Sequence, residues 1–200
     1  MAATILLLAR HGETDWNVEG RWQGHTDRAL TERGRAQAEQ LAARLAGIPL
    51  DAVYTSDLRR AWETAEPIAQ AHGLELHREP GLREVDVGSW AGLTRDEAQE
   101  RFPDGYRHWE ELGTGWEDGE TYEQMAARVI ATVRRIAADH PGGHVLVVSH
   151  GGSLRAVHAA ACGVDLGEYR RRHPVMPNAE VTAIAVDDGR LSEAPEHDLD

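Results

Sequence analysis

Two apolar runs in this chain end alike. Ile5-Leu6-Leu7-Leu8-Ala9 runs into Arg10-His11-Gly12, and Val145-Leu146-Val147-Val148-Ser149 runs into His150-Gly151-Gly152. Each reads as a strand buried on both faces. Each delivers a histidine at its carboxyl end and then turns on glycine. In an open α/β sheet that end of the strands borders the ligand crevice. Two histidines brought there, one preceded by an arginine, point to a phosphate site with a histidine at its centre.

Strand signals lie at 4–9, 52–55, 74–77, 144–149 and 181–186. Between them run helical patterns. One spans 31–46 and stops at Gly47; a second is capped by Ser56 or Asp57 and ends near Gly73. Thr94-Arg95-Asp96-Glu97 and Thr121-Tyr122-Glu123-Gln124 are capping boxes, the latter opening a long helix to about Asp139. A further helix at 153–162 is stopped by Gly163, and Asp187-Asp188-Gly189-Arg190 is a turn, possible as a hairpin. Strands alternating with helices predict an α/β fold, a mostly parallel central sheet with helices on both faces.

At 200 residues the chain is read as one domain, large enough to bury about 70% of its unfolded surface. Residues 102–119, with Pro103, four glycines, Trp109 and Trp116, form the irregular exception: a lid or binding loop, or a packed surface excursion. The tail at 193–200 is acidic and expected to fray.

No apolar run approaches the roughly 20 residues of a bilayer span. The N-terminal run is too short for a signal peptide and meets Arg10 at once. The lone cysteine, Cys162, has no partner for an internal disulfide. These observations predict a cytoplasmic protein, monomer or homodimer. A net charge of -13 argues against nucleic-acid and membrane partners, while a local arginine cluster still accommodates a small anion. All 21 basic residues are arginine. Without lysine, phosphate-loop NTPase chemistry and Schiff-base or pyridoxal phosphate chemistry are excluded. Phosphate recognition must rest on the planar, permanently charged guanidinium.

Four segments carry the chemistry. In the first, Arg10 can fork onto two phosphate oxygens, Gly12 lets the chain pass close to a ligand, and Asn17 can donate to the same anion. Neutral His11 offers one ring nitrogen as a nucleophile, the other being pinned by a backbone carbonyl. In the second, Ser56-Asp57-Leu58-Arg59-Arg60, a helix start brings Arg60 to the anion and leaves Arg59 in solvent. In the third, Leu82-Arg83-Glu84-Val85-Asp86, either Glu84 or Asp86 can donate a proton to a leaving group. In the fourth, His150 is a second donor, and the helix after it brings backbone N–H groups.

The string from Leu8 to Asn17 resembles the signature of the histidine phosphatase superfamily, the phosphoglycerate mutase-like proteins. Segments 56–65, 82–92 and 148–152 resemble that family's second-arginine, acid and second-histidine segments, in the same order. The resemblance implies that His11 becomes phosphorylated and that Glu84 is the proton donor. It implies that Arg10, Arg60 and His150 form the phosphate pocket with Gly151, Asn17 and Gln23, the last two less firmly marked. It implies no metal and no cofactor. The predicted activity is hydrolysis of a small phosphorylated metabolite through a phosphohistidine on His11.

A metal hydrolase lacks paired ligands at helical or turn spacing here. A non-catalytic phosphate-binding module is disfavoured because every matched catalytic position is filled. A cofactor-dependent phosphoglycerate mutase is the nearer alternative. The shortness of the chain and Arg21-Trp22-Gln23-Gly24 resemble the phosphatase branch instead. Trp90 and Trp109 are expected near the pocket. Arg170-Arg171-Arg172-His173 is either a solvated helix end or the source of an arginine that grips a second anionic group of the substrate.

Overall fold

The computed structural model describes residues 2–113 and 115–194, the side chain of Leu112 apart. Its strands are β1 (Thr4–Arg10), β2 (Ala52–Thr55), β3 (Leu76–Arg78), β4 (His144–Ser149), β5 (Val181–Asp187) and β6 (Arg190–Glu193). They form one sheet in the order β3-β2-β4-β1-β5-β6. The first four are mutually parallel; on the other side of β1, β5 runs antiparallel to it and β6 antiparallel to β5. The predicted mostly parallel α/β sheet is thus observed. The alternation of each strand divides the core. Leu6 and Leu8 of β1, with Val145 and Val147 of β4, face one apolar cluster, while Leu7, Ala9, Leu146 and Val148 face the other.

The helices are α1 (Asp15–Val18), α2 (Glu32–Leu45), α3 (Arg59–His72), α4 (Arg95–Arg101), α5 (Pro103–Leu112), α6 (Tyr122–Asp139), α7 (Gly151–Cys162) and α8 (Leu166–Arg172). The boxes at Thr94 and Thr121 cap α4 and α6 as predicted. The hairpin also forms: Asp188 and Gly189 both take positive φ, the combination that joins β5 to β6 in a two-residue turn.

Several boundaries differ from expectation. β3 starts at Leu76, because the Leu74 N–H is spent on Ala69 in closing α3 at Gly73. Neither Ser56 nor Asp57 caps α3. Leu58 holds that position, Asp57 pairs with Arg83, and the first-turn N–H of Arg59 is taken from afar by Asp27 at 2.6 Å. α7 begins two residues early, at Gly151. The stretch at 102–119 is largely helical: Pro103 sits where proline opens a helix, and Gly113, at φ +95°, ends α5. Of the predicted acidic tail, Glu193 ends β6, and 195–200 lie outside the described residues. Among the described residues no helix is long and apolar enough to cross a membrane.

Candidate active site

The register of β1 against β4 builds the centre of the site. Arg10 lies opposite Ser149, so the residues that follow, His11 and His150, emerge together at the carboxyl edge. Their ring centroids are 5.2 Å apart, and both side chains are buried. The His11 backbone is tethered on both sides. Its N–H donates to Ser149, its carbonyl accepts from the Asn178 amide at 2.9 Å, and the next N–H, of Gly12, donates to Thr64 Oγ1 of α3.

His11 Nδ1 lies 2.7 Å from the Gly12 carbonyl oxygen. That oxygen only accepts, so Nδ1 carries the hydrogen and Nε2 keeps its lone pair. Burial pushes the His11 pKa well below the ordinary histidine value, and the positive charges of Arg60 and Arg10 push it further. The imidazole is therefore neutral, the form in which Nε2 is a nucleophile. Burial, followed by Arg60 and His11, does the same to His150. Among the described residues neither nitrogen of His150 has a partner.

Arg60 is the most buried cation of the site. Its guanidinium donates to the Gly24 and Thr26 carbonyls, and burial lowers its pKa to about 10. Arg10 donates to the Met176 carbonyl at 2.6 Å. In both arginines Nε is buried without a partner among the described residues. Buried donors are ordinarily satisfied, so these orphans mark where an anion's oxygens belong. Arg59 instead pairs with Glu63 at the surface, as expected.

Arg10, His11 and Arg60 line a cavity of about 260 Å³ with Asn17, Gln23, Glu84 and Gly151. Asn17 Oδ1 accepts from Thr14, leaving the amide N–H groups for a ligand. Glu84 enters the cavity, whereas Asp86 caps the Gly88 N–H outside it. The structure therefore separates the two carboxylates that the residues alone left open. Every predicted site residue except His150 lines the cavity directly; His150 packs behind His11.

Three expectations need correction. The α7 N–H groups of Gly152 and Ser153 donate to Glu84, at 2.9 and 3.2 Å, and so are not free for an anion. The close approach at Gly12 is to the Gly34 carbonyl of α2, which a Cβ on Gly12 would meet at 2.6 Å. Trp90, expected near the pocket, is near it only through its neighbours: it is fully buried and packs on Trp22 and Trp109 without lining the cavity itself. Trp109 of α5 does line it, packed edge-on to Trp22 at 5.1 Å.

The sequence reading passed over Arg155, Tyr122, Arg95 and Asn178. Arg155 was findable: it lies one helical turn after Gly151 and so shares its face. Asn178 carried no signal, since its contact with His11 needs β5 to lie beside β1.

Fold and site together set a buried histidine pair beside two arginines at the carboxyl edge of an α/β sheet, an arrangement suited to phosphoryl transfer. The histidine phosphatase superfamily (branch 1) model matches residues 6–194, and the chain belongs to that family. It is 38% identical over 166 residues to phosphoserine phosphatase 1 of Hydrogenobacter thermophilus, covering 82% of this chain and 79% of that one. It is 36% identical over 179 residues to glucosyl-3-phosphoglycerate phosphatase of Mycobacterium tuberculosis, covering 84% and 80%. The solved structure of Bacillus stearothermophilus YhfR superposes with a TM-score of 0.89 at 37% identity, over 99% of this chain and 100% of that one. The class of activity is phosphate monoester hydrolysis, with phosphoglycerate mutation the weaker reading.

Proposed function

We propose that the chain hydrolyses a small phosphorylated metabolite in two in-line displacements without a metal ion. His11 Nε2 attacks phosphorus, forming an N–P bond as the P–O bond to the alcohol breaks. Glu84 gives its proton to the departing oxygen. A water that Glu84 deprotonates then attacks the phosphohistidine, releasing phosphate and restoring His11. Arg10 and Arg60 hold the non-bridging oxygens, with His150, Asn17 and Gln23 as further polar contacts.

The observation that carries this reading is the set of unpartnered buried nitrogens, Arg10 Nε, Arg60 Nε and both of His150, around a His11 held neutral with Nε2 free. Two fixed guanidinium charges supply the electrostatic role that a dication plays elsewhere in phosphoryl transfer. Water-directed turnover, rather than return of the phosphoryl group to a second hydroxyl, is supported by the phosphatase names of the two relatives above. The protein is taken to act in the cytoplasm as a monomer or homodimer, in keeping with one cysteine left as a free thiol.

Purified protein is expected to hydrolyse p-nitrophenyl phosphate in excess EDTA, with inhibition by vanadate. Given 3-phosphoglycerate and 2,3-bisphosphoglycerate, it should release phosphate faster than it forms 2-phosphoglycerate. Activity abolished by EDTA and restored by zinc or magnesium contradicts the metal-free reading. Isomerisation with little free phosphate contradicts the hydrolase reading.

A further inference from the structure

The cavity holds more positive charge than one phosphate needs. Six arginines line it against a single carboxylate, Glu84, in a chain whose net charge is -13. Arg21 is neutralised by Glu19 and Glu97. Arg10 and Arg60 belong to the phosphoryl pocket. Of the three that remain, Arg95 sits over the Trp109 ring of the aromatic cluster, 5.7 Å from its centroid. Arg155 of α7 and Arg170 of α8 are the other two, and among the described residues neither forms an ion pair.

Both are held in place without being neutralised. Arg155 donates through Nη2 to the His173 carbonyl at 2.6 Å, while its Nε is buried and unpartnered. Arg170 lies over the Tyr122 ring, 3.7 Å from its centroid, and makes one long hydrogen bond to the Gly113 carbonyl at the end of α5. Burial depresses the Arg155 pKa, and the like charge of Arg170 depresses it further. Both side chains line the same cavity, and the bond from Arg155 to His173 ties it to the end of α8, the helix that carries Arg170. Its neighbours in the run behave differently: Arg171 is exposed and outside the cavity, and Arg172 pairs with Glu168 within α8.

We propose that Arg155 and Arg170 form a second anion subsite, and that the substrate carries, beside the phosphate that is cleaved, a further anionic group which these two guanidinium groups share. The proposal rests on the phosphatase reading and narrows it to substrates with a second negative charge. A carboxylate and a second phosphate both have oxygens that can bridge two guanidinium forks.

The test compares kcat/KM for 3-phosphoglycerate and glycerol 3-phosphate, which differ in a carboxylate against a hydroxymethyl group. A parallel arm compares fructose 1,6-bisphosphate with fructose 6-phosphate. The wild type should prefer one charged member by about tenfold or more, the worth of a charge-assisted hydrogen bond. Arg155→Gln and Arg170→Gln should each erase most of that preference, chiefly through KM, and Arg171→Gln should keep it. Preference in the first arm assigns the subsite to a carboxylate, and in the second to a phosphate. Calorimetric binding of the same four compounds, with no turnover required, reads the subsite even if the phosphatase reading fails. Equal affinity for charged and uncharged members, or variants that weaken all four compounds alike, overturns the subsite. Absence of phosphate release from p-nitrophenyl phosphate as well overturns only the reading beneath it.

Discussion

At the scale of single residues, the account turns on which groups carry protons. His11 is neutral because burial and two nearby guanidinium groups oppose a third positive charge. Glu84 is anchored by the Gly152 and Ser153 N–H groups at the start of α7, which fixes its carboxyl group across the cavity. A proton donor matters most when the leaving oxygen is basic. Glu84→Gln should therefore slow hydrolysis of alkyl phosphates by about 10²–10⁴-fold, the usual worth of general acid catalysis, and that of p-nitrophenyl phosphate far less. Equal losses on both substrates would assign Glu84 a structural role. The histidines and the two pocket arginines were legible because each sits at a strand end or helix start that local pattern marks, whereas Glu84 lies in irregular chain and was told from Asp86 only by the family resemblance. Arg155 and Asn178 were not read, since their roles depend on a helical face and on β5 returning antiparallel beside β1.

Among elements, the tightest joint lies between the loop after β1 and the first turn of α2. Gly12 and Gly34 pass with backbone against backbone, and a Cβ on Gly34 would collide with the Glu13 carbonyl oxygen. Helix propensity alone predicts that Gly34→Ala stabilises the chain by about 1 kcal/mol. The collision opposes this, because the atom met is main chain and cannot swing aside. Overpacking of this kind costs about 1–3 kcal/mol. Gly34→Ala should thus lower the urea midpoint and, by shifting the His11 loop, reduce turnover; a raised midpoint would contradict the joint. α5 teaches the opposite lesson about glycine and proline. Pro103 and the four glycines at 102–119 suggested irregular chain, yet a proline opens a helix as readily as it breaks one, and the position of Gly113 marks the end. The two central strands needed no such context, since an apolar run buried on both faces has few alternatives.

For the whole molecule, burial of neutral histidines links stability to pH. His11, His150 and His158 all have pKa values lowered by burial, the first two strongly. The unfolded chain takes up protons near the ordinary histidine value of about 6.5, whereas the folded chain does so only at lower pH. Stability is then at its plateau above about pH 6.5 and falls as pH drops below it, by up to about 1.4 kcal/mol per pH unit for each such histidine. Ordinary carboxylates titrate near pH 4, so the interval from pH 6.5 to 5 isolates the effect. An unfolding free energy that stays level from pH 7 to 5 would contradict it. The same arrangement that keeps these imidazoles neutral leaves His11 Nε2 as the free nucleophile at the meeting of β1 and β4, and covalent capture tests that most directly. Wild-type protein mixed with a radiolabelled phosphate monoester and quenched in the millisecond range should carry acid-labile phosphate on His11, and His11→Ala should carry none. Label on His150, or turnover by His11→Ala at the wild-type rate, would contradict the account.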